Sequence, residues 1–303
     1  MNITMSPSAV PTSSGFSPAP CRSASPPGMA ASVLTIAWRE LRDAVTSRWF
    51  ILYTIAFAAL GLGISYVSAV SAGGAGLSGF ARTSAGLTNL VLLVVPLMAL
   101  SAGAGSIASD RERGMLSYML AQPVRRFELV LGKFLGLALA LLACLSLGLG
   151  ACAAVLALKG VATSPASILW LAGLSFLLSL GMLSLGMLVS VLARKASVAI
   201  GTAIFIWLTL VFVTDLGLMA GAVALRLPIG DLFALSLLNP LQVFKMWALH
   251  AADASLDVLG PAGLYAMDEY GSRLHALFAA CLGAWIVGPL ALASMVFARR
   301  SPL

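Results

Sequence analysis

The chain has 303 residues, 60% of them hydrophobic and only 10% charged, and a formal net charge of +7. Soluble domains carry roughly 25% charged residues, so this composition excludes a water-soluble globule: too few polar side chains remain to cover an apolar core. The basic residues flank apolar runs and form no separate basic domain, so the positive charge reads as a membrane-topology signal and not as a nucleic-acid interface.

In lipid, only helices and closed barrels satisfy their own backbones. The apolar runs here are long and continuous, without period-two alternation, so the expected fold class is an all-α polytopic membrane protein. A span needs about 20 apolar residues. The charge-free intervals predict six spans, near 49–70, 87–107, 134–158, 168–192, 198–221 and 274–297. Placing both termini in the cytoplasm leaves only Arg82, Lys159, Arg226, Lys245 and Arg273, of 18 Lys and Arg, outside. The positive-inside rule favours that orientation.

Residues 1–31 are rich in Ser, Pro and Ala, with Arg22 the one charge. They hold no apolar run of the kind a cleavable signal needs. They predict a disordered tail, and Met29 offers an alternative start. Residues 32–48 are not a span. Leu34, Trp38, Leu41 and Val45 recur at helical spacing, while Arg39, Glu40, Arg42 and Asp43 fill other faces. This predicts an amphipathic elbow helix lying in the interface. The plain reading is a membrane anchor; the sharper one is an elbow that steers the first span and flanks a cytoplasmic partner.

Between the second and third spans runs the most informative segment, Ser109 to Lys133. Ser109 and Glu112 have capping-box spacing, so a short helix is expected over 109–123, with Pro123 ending it. Met115, Leu116, Met119 and Leu120 give it an apolar stripe; Glu112 and Arg113 sit at its rim, and Gly114 belongs to the same coupling segment. Such a cytoplasmic helix suits a groove on another protein, against the plainer reading of a loop helix packed on the membrane. Gly132/Gly136 and Gly217/Gly221 have small-xxx-small spacing, equally compatible with packing inside the chain and with dimerisation.

Asp215 is the one acidic residue inside a predicted span. A charge there is costly and usually marks function; structural hydrogen bonding, gating or partner coupling, and ion contact all remain open. The outer segment 226–272 is too long for a turn, and Leu241, Phe244, Ala248 and Leu249 share a helical face. Amphipathic helices lying on the outer membrane surface are expected there, as a platform for a periplasmic partner or as a simple cap on the bundle. Met246 and His250 stand at i and i+4 and could reach one soft metal ion, a weak signal. Cys21, Cys144, Cys152 and Cys281 lack metal-finger spacing. Cys144 and Cys152 are about 12 Å apart along a helix, and Met98, Met182, Met187 and Met219 are scattered over several spans. No metal site and no copper channel are expected.

The pattern Glu112-Arg113-Gly114, a Leu/Met-rich helix, Gln122-Pro123-Val124 with Arg126, then Leu131-Gly132-Lys133 resembles ABC-2-type permeases. That resemblance covers roughly residues 32 to 300. It implies a six-span subunit of the bacterial inner membrane that pairs with a second copy of itself and binds two cytoplasmic ATPase subunits. Residues 109–123 would be the coupling helix, and ATP and Mg would sit on the ATPase. A narrower pattern, Asp215-Leu216-Gly217-Leu218 and Leu238-Asn239-Pro240 with Val243-Phe244, resembles NosY-like permeases. These serve the ABC complex that matures the copper sites of nitrous-oxide reductase, with a periplasmic β-helical copper-handling partner. It marks Asp215, Asn239, Pro240 and Phe244 as a periplasmic coupling or gate group.

The residues alone agree with the broader pattern. No phosphate-cradling G-x-x-x-x-G-K-[ST] loop occurs: Phe134 follows Gly132-Lys133, and Phe127 stands where the leading Gly is needed. The chain is therefore expected to be a non-catalytic subunit driven by a partner. An ABC-2 exporter of a drug, lipid or polysaccharide is the alternative within the class. A stand-alone secondary transporter is disfavoured by the single charge within the predicted spans. An intramembrane protease would use Ser184 and His275, but Met182 stands where its motif needs Gly.

Overall fold

The computed structural model describes residues 29–71, 76–115, 125–158, 165–212, 228–251 and 271–299. The described residues form helices: α1 (Met29–Thr46), α2 (Arg48–Ser71), α3 (Gly76–Glu112), α4 (Arg126–Leu158), α5 (Pro165–Leu192), α6 (Ala196–Phe212), α7 (Ile229–Leu237), α8 (Pro240–Ala251) and α9 (Leu274–Arg299). A 3-10 turn, Gly271–Arg273, precedes α9.

Stretches of α2, α3, α4, α5 and α9 are long and apolar enough to cross a membrane. These match five of the six predicted spans. The predicted fifth span, 198–221, begins as α6, an apolar helix of 17 residues, and continues outside the described residues, as does Asp215. The α7–α8 pair is bent by 109° and is a further candidate crossing if read as one broken span. At the basic ends the helices outrun the predicted spans: α3 continues to Glu112 and α4 starts at Arg126.

The α1–α2 elbow comes from Ser47, whose Oγ accepts the Phe50 N–H at 3.2 Å and so caps α2. At the centre lies α5, packed against α3, α9, α4, α8 and α6. Its approach to α3 is set by two glycines. A Cβ on Gly103 would stand 2.6 Å from Leu183 O, and one on Gly186 would run into Leu100 O. Backbones this close place Ser190 Oγ where it accepts the N–H groups of Ile107 at 3.0 Å and Ala108 at 2.8 Å.

The contact of α5 with α9 rests on a proline. Pro289 lies inside α9 and brings no N–H to the carbonyl four residues back, that of Trp285. Ser184 Oγ reaches that carbonyl at 2.8 Å and Gly181 O at 2.7 Å. Ser184 is therefore buried and structural. Its partner Trp285 is ten residues from His275, about 15 Å along α9, so the two are not a catalytic pair.

The expectation of surface helices over 226–272 needs correction for α8. Leu241, Phe244 and Ala248 are buried as its apolar face requires, but Gln242, Val243, Met246 and Trp247 on other faces are buried too. It packs against α5, α9 and α3, inside the bundle. The 109° bend at Leu238–Asn239 turns it inward. Residues 252–270 lie outside the described residues.

The glycine contacts lead to a paired test. Gly186→Ala forces α3 and α5 apart and should lower unfolding stability by about 1–3 kcal/mol, the usual range for overpacking. Gly150→Ala, where a Cβ meets nothing within 4 Å, should be neutral or stabilising through helix propensity. Thermal melts of the two detergent-purified variants decide it.

Candidate functional site at the basic helix ends

Lys133 stands two turns into α4 and is 2% exposed. Its Nζ donates to Glu40 Oε2 of α1 at 2.7 Å and to Ser106 O of α3 at 3.3 Å, and pairs with Asp110 Oδ2 of α3 at 2.9 Å. An ammonium has three donors, and each has an acceptor here. Three helices meet on one buried cation.

Glycines allow that meeting. A Cβ on Gly132 would stand 2.8 Å from Ile36 Cβ, and one on Gly136 would stand 2.7 Å from Glu40 Cβ. The Gly132/Gly136 pair thus cradles α1 within the same chain. As a result α1 turns Ala37 and Glu40 inward, while Leu34, Trp38 and Val45 remain exposed.

Two carboxylates face one ammonium, so the cluster carries excess negative charge. Burial pushes the Glu40 carboxyl above its ordinary range, against the pull of Lys133 and with the help of Asp110 and Asp43. The folded state then holds a proton on Glu40 more readily than the unfolded chain does. Glu40's own contribution is greatest at low pH, below its ordinary pKa, and is lost as pH rises through the raised value. Neutralising Glu40 is therefore mild, whereas removing Lys133 strands two carboxylates.

Around this cluster, the two stems of the predicted coupling segment are tied to the ends of other helices. The guanidinium of Arg111 donates to Ala193 O, just past the end of α5. Glu112 Oε1 accepts the Ala196 N–H at 3.0 Å, at the start of α6. Arg126 donates to Ala298 O at 3.0 Å and Phe297 O at 3.3 Å, in the last turn of α9. Cations at helix C-termini and a carboxylate at an N-terminus match the helix dipoles. On the other stem, Glu128 Oε2 accepts the Arg125 N–H at 3.4 Å and caps α4.

These contacts change the reading of the predicted site. Ser109 and Glu112 do not open a coupling helix; they lie in the last turn of α3. The Arg113 N–H bonds back to Ser109 O, and Gly114, at φ 70°, ends the helix, as glycine does at such positions. Glu112 caps α6 while exposed, Arg113 is exposed, and Met115 is 37% exposed. Leu116, Met119 and Leu120 lie outside the described residues.

Asn239, Pro240 and Phe244 gather at the α7–α8 bend. Asn239 Oδ1 accepts the Leu241 N–H at 3.0 Å, and Nδ2 donates to Leu210 O of α6 at 2.8 Å. Pro240 starts α8, its fixed φ suiting the first helical turn, and Phe244 is fully buried. Met246 and His250 turn to different partners. Met246 Sδ takes the Ser236 hydroxyl at 3.7 Å, and the His250 ring lies 4.8 Å from that of His275. Among the described residues no group of three or more His, Cys, Asp or Glu could hold a metal ion.

Sequence reasoning missed Lys133, Glu40, Asp110, Arg111 and Arg126 as site residues. The available signal was Lys133 standing between Gly132 and Gly136 at the head of an apolar run, with Glu40 off the elbow's apolar stripe.

Comparison with known proteins accords with this architecture. The profile described as ABC-2 family transporter protein matches residues 34–301. The chain is 36% identical over 279 residues to the probable ABC transporter permease protein NosY of Pseudomonas aeruginosa, covering 88% of this chain and 98% of that one. It is 31% identical over 274 residues to the protein of the same name from Stutzerimonas stutzeri, with the same coverage.

Removing one partner of a buried ion pair costs about 3–5 kcal/mol. Lys133→Met should lower unfolding stability by that order, and Glu40→Gln by less than about 1 kcal/mol, because the Lys133–Asp110 pair survives. Equal losses in denaturation of the two purified variants would show that Lys133 is not the centre of the cluster.

Proposed function

The chain belongs to the ABC-2 family of transporter proteins, and from that membership we propose that it converts ATP hydrolysis on a separate cytoplasmic ATPase into movement of its membrane helices. It is a multi-pass permease of the bacterial inner membrane. The carrying observation is the attachment of both coupling-segment stems. Through Arg111, Glu112, Arg126 and Lys133, they are tied to α1, α5, α6 and α9. A push on residues 113–124 therefore displaces several helix ends together.

In this reading a second copy of the chain completes the membrane unit, and two ATPase subunits, each with ATP and Mg, dock on the coupling segments. Met115 and Leu116 insert as anchors, Met119 and Leu120 extend the stripe, and Arg113 sits at the rim. Glu112 serves the opposite side of the joint: by capping α6 it passes displacement of the segment to that helix.

The outer end delivers the work. There Asn239 joins α8 to α6, with Pro240 and Phe244 fixing the start of α8. Asp215, later in the same sequence segment as α6, is the gate or partner-coupling residue. The similarity to the two permeases named NosY supports work on the maturation of nitrous-oxide-reductase copper sites, with a periplasmic β-helical copper-handling partner.

Loss of a buried interface anchor costs about 2 kcal/mol or more, roughly thirtyfold in affinity. Leu116→Asp should therefore strip the ATPase from the purified complex. Arg113→Ala should weaken binding less and more visibly at high salt. Glu112→Ala should leave the ATPase bound while lowering coupled activity. Full ATPase retention and coupling in Leu116→Asp would overturn the proposal.

A further inference from the structure

The elbow helix presents a surface that the coupling function does not use. Trp38 is 70% exposed and Leu34 equally so; Val45 lies on the same face, and Trp49, one residue into α2, is 74% exposed. Apolar side chains of this size at a helix–span junction suit the level where a bilayer's acyl chains meet its headgroups.

The charges beside this face are selectively basic. Of the two acidic residues in α1, Glu40 is drawn inward by Lys133. Asp43 remains outside, and Arg39 Nε stands 3.8 Å from its Oδ2, with both side chains at least half exposed. Such a solvated pair is weak. Arg42 and Arg48 are exposed as well. The surface thus pairs an apolar stripe with three guanidiniums and one carboxylate, because the second carboxylate is spent inside. Arginine forks bind phosphate oxygens in a planar, two-bond geometry.

We propose that the outward face of α1 docks on anionic phospholipid of the cytoplasmic leaflet, with Trp38 and Trp49 at headgroup level and Arg39 and Arg42 on the phosphates. Basic residues near a membrane surface contribute additively to the attraction for anionic lipid. The interaction is independent of the ATPase and belongs to the full chain alone. It makes the lipid headgroup a determinant of where the elbow rests, and through Lys133 of where α3 and α4 rest.

The test uses the full chain in phosphatidylcholine bilayers doped with brominated phosphatidylglycerol or brominated phosphatidylcholine, reading tryptophan quenching. The expected result is an association preference for phosphatidylglycerol of about fivefold or more, the contribution of one arginine. The preference should vanish in Arg39→Gln/Arg42→Gln. It should survive in Arg39→Lys/Arg42→Lys and in Arg194→Gln/Lys195→Gln, and shrink in Trp38→Phe. Equal quenching by the two lipids, or a preference unchanged in Arg39→Gln/Arg42→Gln, would overturn the proposal. So would quenching by both lipids that does not change in Trp38→Phe, because a second copy or a cytoplasmic subunit would then cover the face.

Discussion

A buried ammonium that answers to two helices other than its own sets the arrangement of the basic end. Lys133 bonds Glu40 on α1 and Asp110 on α3, so neither helix can slide without stranding a charge. A buried ion cluster of this kind adds little net stability compared with apolar packing, because desolvating the charges offsets their attraction. Its effect is positional. Gly132 and Gly136 bring α1 into contact, but an apolar contact alone tolerates small slips. The hydrogen bonds of Lys133 accept one placement, and that placement is what turns Trp38 of α1 outward.

From this point contacts run into the middle of the bundle. Asp110 lies in the last turns of α3, whose Gly103 meets Gly186 of α5 backbone to backbone. Ser184, two residues before Gly186, reaches the Trp285 carbonyl of α9. Arg126 ties the other end of α9 back to the start of α4. The three helices α3, α5 and α9 are therefore joined by hydrogen bonds or by backbone contact too tight for a side chain. Such joints favour displacement of the helices as bodies over local rearrangement.

Much of this fold was legible in the sequence, because the bilayer constrains it so strongly. A helix that must cross about 30 Å of hydrocarbon announces itself as an apolar run, and five of the expected runs match long apolar helices. Charges were less legible. Asp110 and Lys133 mark the ends of apolar runs, and the same pattern is produced by charges left in water and by charges that pair with each other. Pairing depends on α1 lying across α4, which no local pattern encodes. Ser109-x-x-Glu112 misled for a related reason: that spacing occurs in the last turn of a helix as readily as the first, and Gly114 was the signal that α3 was ending. The outer segment was read from one apolar face of α8, Leu241, Phe244 and Ala248. The bend at Asn239 that buries the remaining faces arises from Asn capping followed by Pro, a motif compatible with either outcome.

The central claim is that α1, α3 and α4 move as one body held by Lys133. Pulsed electron-spin distance measurement tests it on the full complex with its ATPase, with labels at the exposed positions Leu34 on α1 and Leu135 on α4. The account requires the same mean distance and width with and without trapped ATP, while a label pair joining Leu135 to the exposed Phe212 at the end of α6 changes. A shift or broadening of the 34–135 distance on ATP binding would contradict it, because α1 would then part from α4 during the cycle.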